Sequence, residues 1–379
     1  MTIGSFTDFP LLPTLQATLA EKGLGTPTEI QVRSIPLLLS GQSMIGLSPT
    51  GSGKTLAFVL PMLHQLKVLE TEGRPVAEES RPRGVVIVPA RELGEQVTRV
   101  FKPFTHTTRL RVRSVLGGTK FEVAKRNVGG CFEILVATPG RLLQLMDREL
   151  VGLGDVRTLV FDEADRMLDQ GFLPDAGRIA EACPPGRQMA MFSATVSPAV
   201  QTLIQKLFAG AEMIQCEGSH QVVPTLNTVN LNVPDGKRFP FLEDLLTKKV
   251  GGGTLIFTNT REQCDDLAQR IEGTGRRCLV YRGEMDKVER RANLKAFRDG
   301  EIDLLISTDL ASRGLDVDLV VRVINYHLPT DLENYLHRVG RTARAGRKGL
   351  VINLVTERDA PLMSRVAGLN AGTPSAENR

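Results

Sequence analysis

Apolar residues gather along this chain in short unbroken runs: VVIVPA (85–90), EILVATPG (133–140), TLVFDEAD (158–165) and MAMFSAT (189–195). A strand covered on both faces reads this way, whereas a strand with one wet face alternates. Longer amphipathic stretches separate the runs, so the pattern predicts strands alternating with helices, an α/β fold built on a mostly parallel sheet. A second series repeats the arrangement: TLIFTNT (254–260), RCLVYRGE (277–284), IDLLISTDLAS (302–312), VVRVINYHLP (320–329) and LVINLVT (350–356). Between the two series CEGSHQVVPTLNT (216–228) is polar and aperiodic and contains Pro224, which suits an exposed linker. The expected layout is a first domain over 1–217, a linker over 218–228, a second domain over 229–367 and a short flexible tail over 368–379. The Glu-, Arg- and Pro-rich stretch 70–84 is expected to be a surface loop.

Composition narrows the class. A chain of 379 residues suits two domains. With 41% hydrophobic and 24% charged residues and no apolar run of membrane length, it is expected to be soluble. The first twenty residues include Asp8 and lack a basic and apolar leader, so a cytoplasmic location is expected. Five cysteines (131, 183, 216, 264 and 278) without C-x-x-C spacing argue against a disulfide framework and against a zinc site. A net charge of +4 permits a polyanionic partner without demanding one. The absence of Trp and the presence of only three Tyr argue against a platform of stacked bases, so nucleic acid would be held by its backbone.

In open parallel sheets ligands collect at the carboxyl ends of the strands, and there the runs close on polar residues. SPTGSGKT (48–55) follows the plausible strand SMIGL and precedes the apolar helix pattern LAFVLPMLHQL, the setting of a phosphate-binding loop. Ser48 stands where the general motif has glycine, and Pro49 has no N–H to offer. Gly51 and Gly53 permit backbone conformations closed to other residues, so the N–H groups from Gly51 through Ser52 and Lys54 to Thr55 can surround an anion at a helix start, with Thr50 beside them. Lys54 would reach the β and γ phosphates and Thr55 would ligate Mg²⁺. VFDEAD (160–165) supplies two carboxylates at a strand end: Asp162 to hold Mg²⁺ through its waters and Glu163 to orient and deprotonate the attacking water.

With Asp162-Glu163-Ala164-Asp165 the chain resembles the DEAD-box ATP-dependent RNA helicases, and the motifs of that family follow in order from Phe6 to about Val355. The resemblance implies two tandem RecA-like domains, ATP and Mg²⁺ as cofactors, and RNA-stimulated ATP hydrolysis. Domain closure would couple that hydrolysis to local RNA unwinding or remodelling of RNA–protein complexes. RNA would be gripped by its backbone with little sequence specificity, and the protein would be a monomer without a membrane partner. PTEIQ (27–31) looks like the adenine-reading Q motif, with Thr28 and Gln31 at the base and Phe6 stacking on it. Arg91, Gly118, Thr138, Pro139, Gly140 and Arg141 fall in segments that hold RNA on the first domain. Thr260, Arg290 and Thr308 do so on the second. Ser193 and Thr195 of the SAT motif, with Asp165 and His337, would couple hydrolysis to strand separation. Gly314 and Asp316 would face the nucleotide, and Arg341 and Arg344 would reach the γ-phosphate as arginine fingers, worth about 10³ to 10⁵ in rate.

The chain departs from the family pattern at Ser48, Ala90, Gly94 and Leu24, and at Arg282 and Lys287, which add positive charge beside the RNA contacts. Ser48→Ala is expected to be nearly neutral and Lys54→Ala disabling. Two other classes share these residues, a DNA helicase or translocase and an ATP-gated RNA clamp. The intact Lys54, Glu163 and Arg341 argue against the second.

Overall fold

The computed structural model describes residues 4–49, 51–216, 226–283, 285–309, 320–342 and 349–370. The chain divides into two compact units, Met1–Ser219 and His220–Arg379. In the first, seven strands form one sheet: β1 (Met44–Leu47), β2 (Gly84–Ile87), β3 (Val112–Val115), β4 (Ile134–Ala137), β5 (Thr158–Phe161), β6 (Gln188–Ser193) and β7 (Glu212–Gln215). They are all parallel, in the spatial order β3-β4-β2-β5-β6-β1-β7. The unbroken apolar runs arise because both faces are covered. Val85 and Ile87 enter one core and Val86 and Val88 the other, and Leu159 and Phe161 alternate with Val160 in the same way. Pairing is tight enough at one point to require glycine. Gly46 lies opposite Phe192, and a Cβ there would meet the ring at 2.9 Å.

The second unit holds six parallel strands: β8 (Leu226–Asn232), β9 (Gly253–Thr258), β10 (Leu279–Tyr281), β11 (Leu304–Thr308), β12 (Val320–Asn325) and β13 (Gly349–Val355). Their order is β10-β11-β9-β12-β13-β8, again with a core on each face. β8 begins inside the stretch expected as linker, because Leu226, Asn227 and Thr228 pair with Gly349, Leu350 and Val351 of β13. A polar edge strand carries no apolar run to announce it; the neighbouring ladder recruits it. The stretch 70–84 is also more anchored than a free surface loop: Ser80 bonds the carbonyls of Gly130 and Val128, and Arg83 pairs with Asp155.

Among the described residues no helix is long and apolar enough to cross a membrane, and the five cysteines form no disulfide.

Candidate active site

β1 delivers the chain into the phosphate loop. The Ser48 N–H donates to the Ser193 carbonyl at 3.0 Å, which ties the loop's root to β6. The backbone then turns through Gly51 (φ 82°) and Gly53 (φ 91°) into the helix Lys54–Thr71. A side chain at Gly53 is disfavoured on two counts: its φ is left-handed, and a Cβ would meet Gln31 Nε2 at 2.5 Å, so the latch would have to shift. Lys54 is buried, and its Nζ donates to the carbonyls of Ser48 at 2.6 Å and Pro49 at 3.0 Å. Burial lowers the Lys54 pKa, opposed by the charges of Asp162, Asp165 and Glu163. The missing N–H of Pro49 is therefore no loss, since its carbonyl is the group in use. Ser48 is fully buried, and its hydroxyl lies 2.5 Å from that of Ser52. Buried hydroxyls need partners, and this one cross-links the loop, which bears against the expectation that Ser48→Ala is nearly neutral. Thr50 lies outside the described residues.

The Q-motif residues are joined to this loop. Gln31 is 3% exposed; its Nε2 donates to the Gly53 carbonyl at 2.9 Å and its Oε1 accepts the Thr28 N–H at 2.8 Å. Both ends of the amide expected to read adenine are thus engaged within the protein, latching the helix Glu29–Leu39 onto the phosphate loop. Phe6 also differs from expectation. Its ring is 3% exposed and packs at 5.9 Å from Phe9, so its apolar surface belongs to the core instead of offering an open face for stacking.

The acidic wall follows β5. The Asp162 N–H donates to the Ile87 carbonyl at 2.9 Å, and its Oδ1 accepts the Glu163 N–H at 3.0 Å. Burial, aided by the charge of Glu163 and opposed by Lys54, pushes the Asp162 carboxyl up to about 7. Glu163 adopts a left-handed φ of 50°, uncommon for a residue with a side chain, and its Oε2 accepts from Arg166 Nη1 at 2.6 Å. β6 lies between β5 and β1, so a carboxylate after β5 meets the backbone after β6. Asp165 Oδ2 accepts the N–H groups of Ala194 and Thr195, each at 3.0 Å, and the Thr195 hydroxyl at 3.2 Å. The Asp165 N–H donates to the Ser193 hydroxyl at 3.2 Å, and that hydroxyl donates to the Thr195 carbonyl at 2.8 Å.

Along the same rim, at the ends of β3 and β4, the Thr138 hydroxyl accepts the Gly117 N–H at 2.9 Å, and Gly118 has a φ of 75°. Pro139, Gly140 and Arg141 open the helix Pro139–Met146, and Arg141 Nη2 donates to the Thr119 carbonyl at 2.5 Å. Two segments distant in sequence therefore make one cluster. Arg91 begins the helix Arg91–Thr108 and donates to Glu95 at 2.8 Å. Gly94 on that helix faces Leu116, whose Cδ2 occupies the place of a Cβ at 2.3 Å, which accounts for glycine there.

In the second unit Thr260 caps the helix Arg261–Glu272, Thr308 ends β11, and the Arg290 guanidinium lies 4.8 Å from the Tyr281 ring. His337 and Arg341 are buried, with Arg341 Nε donating to the His337 carbonyl at 3.1 Å. Gly314, Asp316 and Arg344 lie outside the described residues. Arg338, given no role of its own by the sequence pattern, joins three strand ends. It bonds Asp309 beyond β11 at 2.7 Å, Asn259 beyond β9 at 2.8 Å, and Asn325 and the His327 carbonyl at the end of β12. Its signal was present: it lies three residues after Tyr335, on the buried face of the helix Leu332–Val339.

Similarity to known proteins agrees with this geometry. The DEAD/DEAH box helicase family matches residues 28–203, and the helicase conserved C-terminal domain matches residues 237–346. The RNA helicase CrhR of Synechocystis is 34% identical over 363 residues, covering 96% of this chain and 72% of that protein. The ATP-dependent RNA helicase DeaD of Mycobacterium tuberculosis is 32% identical over 363 residues, of which this chain spans 62% of the relative's length. The structure of Dbp5 from S. cerevisiae bound to RNA and ADP BeF3 has a TM-score of 0.85 at 29% identity, covering 97% of this chain and 93% of that one. A loop that holds Lys54, an acidic wall at Asp162 and Glu163 and a carboxylate bridge to the SAT segment, with these relatives, place the chain in the DEAD-box family of ATP-dependent RNA helicases.

Proposed function

We propose that this chain hydrolyses ATP in its first unit and uses closure of the second to bend and release a strand of RNA held by its backbone. The Asp165 bridge carries the reading: one carboxylate oxygen gathers three donors from Ala194 and Thr195, so a change beside Asp162 and Glu163 is transmitted directly to the SAT segment. Lys54 leaves the carbonyls of Ser48 and Pro49 to meet the β and γ phosphates. Gln31 and Thr28 position the base edge through the same latch that holds Gly53. Glu163 takes the proton of the attacking water, and Arg341 and Arg344 offset charge on the γ-phosphate when the second unit closes.

The donor set suits Mg²⁺. A buried carboxylate at Asp162 and a hydroxyl at Thr55 are hard oxygen ligands of the kind that share this ion with phosphates and water. When bound, the ion supplies positive charge to the phosphate oxygens. RNA is the proposed partner, held through Arg91, Gly118, Thr138, Arg141, Thr260, Arg290 and Thr308. A cytoplasmic, monomeric protein remains the proposal for its setting.

ATP turnover measured with and without single-stranded RNA tests the coupling. Stimulation by RNA, absent with DNA of the same sequence, is expected; equal rates with and without RNA would sink the reading. Lys54→Ala and Glu163→Gln should each reduce turnover to a small residual rate.

A further inference from the structure

Arg166 lies one helical turn beyond Glu163, in the short helix Ala164–Asp169. Its side chain is 1% exposed, among the largest fully buried side chains of the described residues, in a helix where Asp165 and Met167 on either side are also buried. A guanidinium is kept from water only where something fixed requires it. Nη1 donates to Glu163 Oε2 at 2.6 Å, a short charge-assisted bond. Nε and Nη2 are buried without a hydrogen-bond partner among the described residues, so the Glu163 contact is the one the guanidinium secures. The main chain of Glu163 is held as well: its N–H goes to Asp162 Oδ1 at 3.0 Å, its carbonyl accepts the Met167 N–H at 3.1 Å, and its φ is 50°. A side chain leaving a left-handed residue starts in a direction that helix geometry does not set. One carboxylate oxygen is tied by this bond to a rigid, planar donor that burial itself holds in place, where a flexible ammonium would not be so held.

We propose that Arg166 is a positioning residue of the ATPase, holding the Glu163 carboxylate at the angle from which it meets the attacking water. The proposal rests on the reading of Glu163 as the general base. Arg166 touches neither nucleotide nor water in this account and acts through Glu163.

The test compares Arg166→Lys, Arg166→Met, Glu163→Gln and the double variant Glu163→Gln/Arg166→Met in the full chain. It reads RNA-stimulated kcat, KM for ATP, the Kd of a fluorescent ADP, and single-turnover hydrolysis for the slow variants. Misplacing a reacting group by about 1 Å costs on the order of 100-fold, so Arg166→Met should lose about 10- to 100-fold in kcat with KM and Kd within about twofold. Arg166→Lys, which keeps the charge and loses the rigid, planar donor, should fall between it and the wild type. In the Glu163→Gln background Arg166→Met should change the residual rate by less than about twofold, because groups acting as a unit are not additive. A folded Arg166→Met with wild-type kcat would overturn the proposal, as would the full loss recurring in the Glu163→Gln background. Should Arg166→Met not fold, a wild-type kcat in Arg166→Lys would overturn it equally. Normal turnover in Glu163→Gln alone would instead remove the reading of Glu163 on which the proposal stands.

Discussion

Ser48 looked like a defect in a phosphate loop and proves to be one of its fasteners. Its N–H is tied to β6, its carbonyl receives Lys54 and its hydroxyl meets Ser52, so one small residue touches three parts of the site. A neutral hydrogen bond contributes about 0.5–1.5 kcal/mol net, and Ser48→Ala should weaken ATP binding by roughly two- to tenfold, read by titration with a fluorescent analogue. Asp162 makes a second prediction. Burial raises its carboxyl to about 7, so part of the population carries that proton at neutral pH before nucleotide binds. ATP with Mg²⁺ favours the ionised form, so binding should release a fraction of a proton near pH 7 and almost none above pH 9. Calorimetry in buffers of different ionisation enthalpy measures this, and Asp162→Asn should abolish the release. Neither the Ser48–Ser52 bond nor the Asp162 shift could be read from residue types alone. The first needs the loop's curvature, and the second needs the depth of burial.

Elements differed in how plainly they announced themselves. β2, β4, β5 and β6 are buried throughout and appear in the sequence as unbroken apolar runs. β3 and β7 lie at the two edges of their sheet and carry partly exposed residues, VRSV and EMIQ, so no run marks them. Strand propensity there is supplied by the neighbour's ladder. The helix Arg91–Thr108 shows how a motif can be legible while its energetics are not. Its N-cap is Ala90, which offers no side-chain acceptor to the first-turn N–H groups. Ala90→Ser should add about 1 kcal/mol of stability, seen as a rise of roughly 2–4 °C in the melting of the first unit. An unchanged melting temperature would show that those groups are already satisfied.

At the scale of the whole molecule the proposed function divides the chemistry between two units of one chain. Lys54, Asp162 and Glu163 belong to the first and Arg341 to the second, so the two should separate in kinetics. Arg341→Ala should lower RNA-stimulated kcat by about 10³ or more while nucleotide affinity changes little, because binding needs mainly the first unit. A comparable loss in both quantities would contradict this division. The α/β class, the doubling of the pattern, the phosphate loop and the acidic box were all legible beforehand, because each depends on neighbours close along the chain: buried runs, a glycine pair before a helix, carboxylates closing a strand. Folding decided which distant groups share a bond. The strand order β5-β6-β1 brings Asp165 to Ala194 and Thr195, and the packing of Glu29–Leu39 brings Gln31 to Gly53. Arg338 likewise reaches Asp309 and Asn259 across separate strands. Local sequence carries the chemistry of a residue, whereas the partner that restrains it comes from elsewhere in the chain, and only the folded unit sets them at bonding distance.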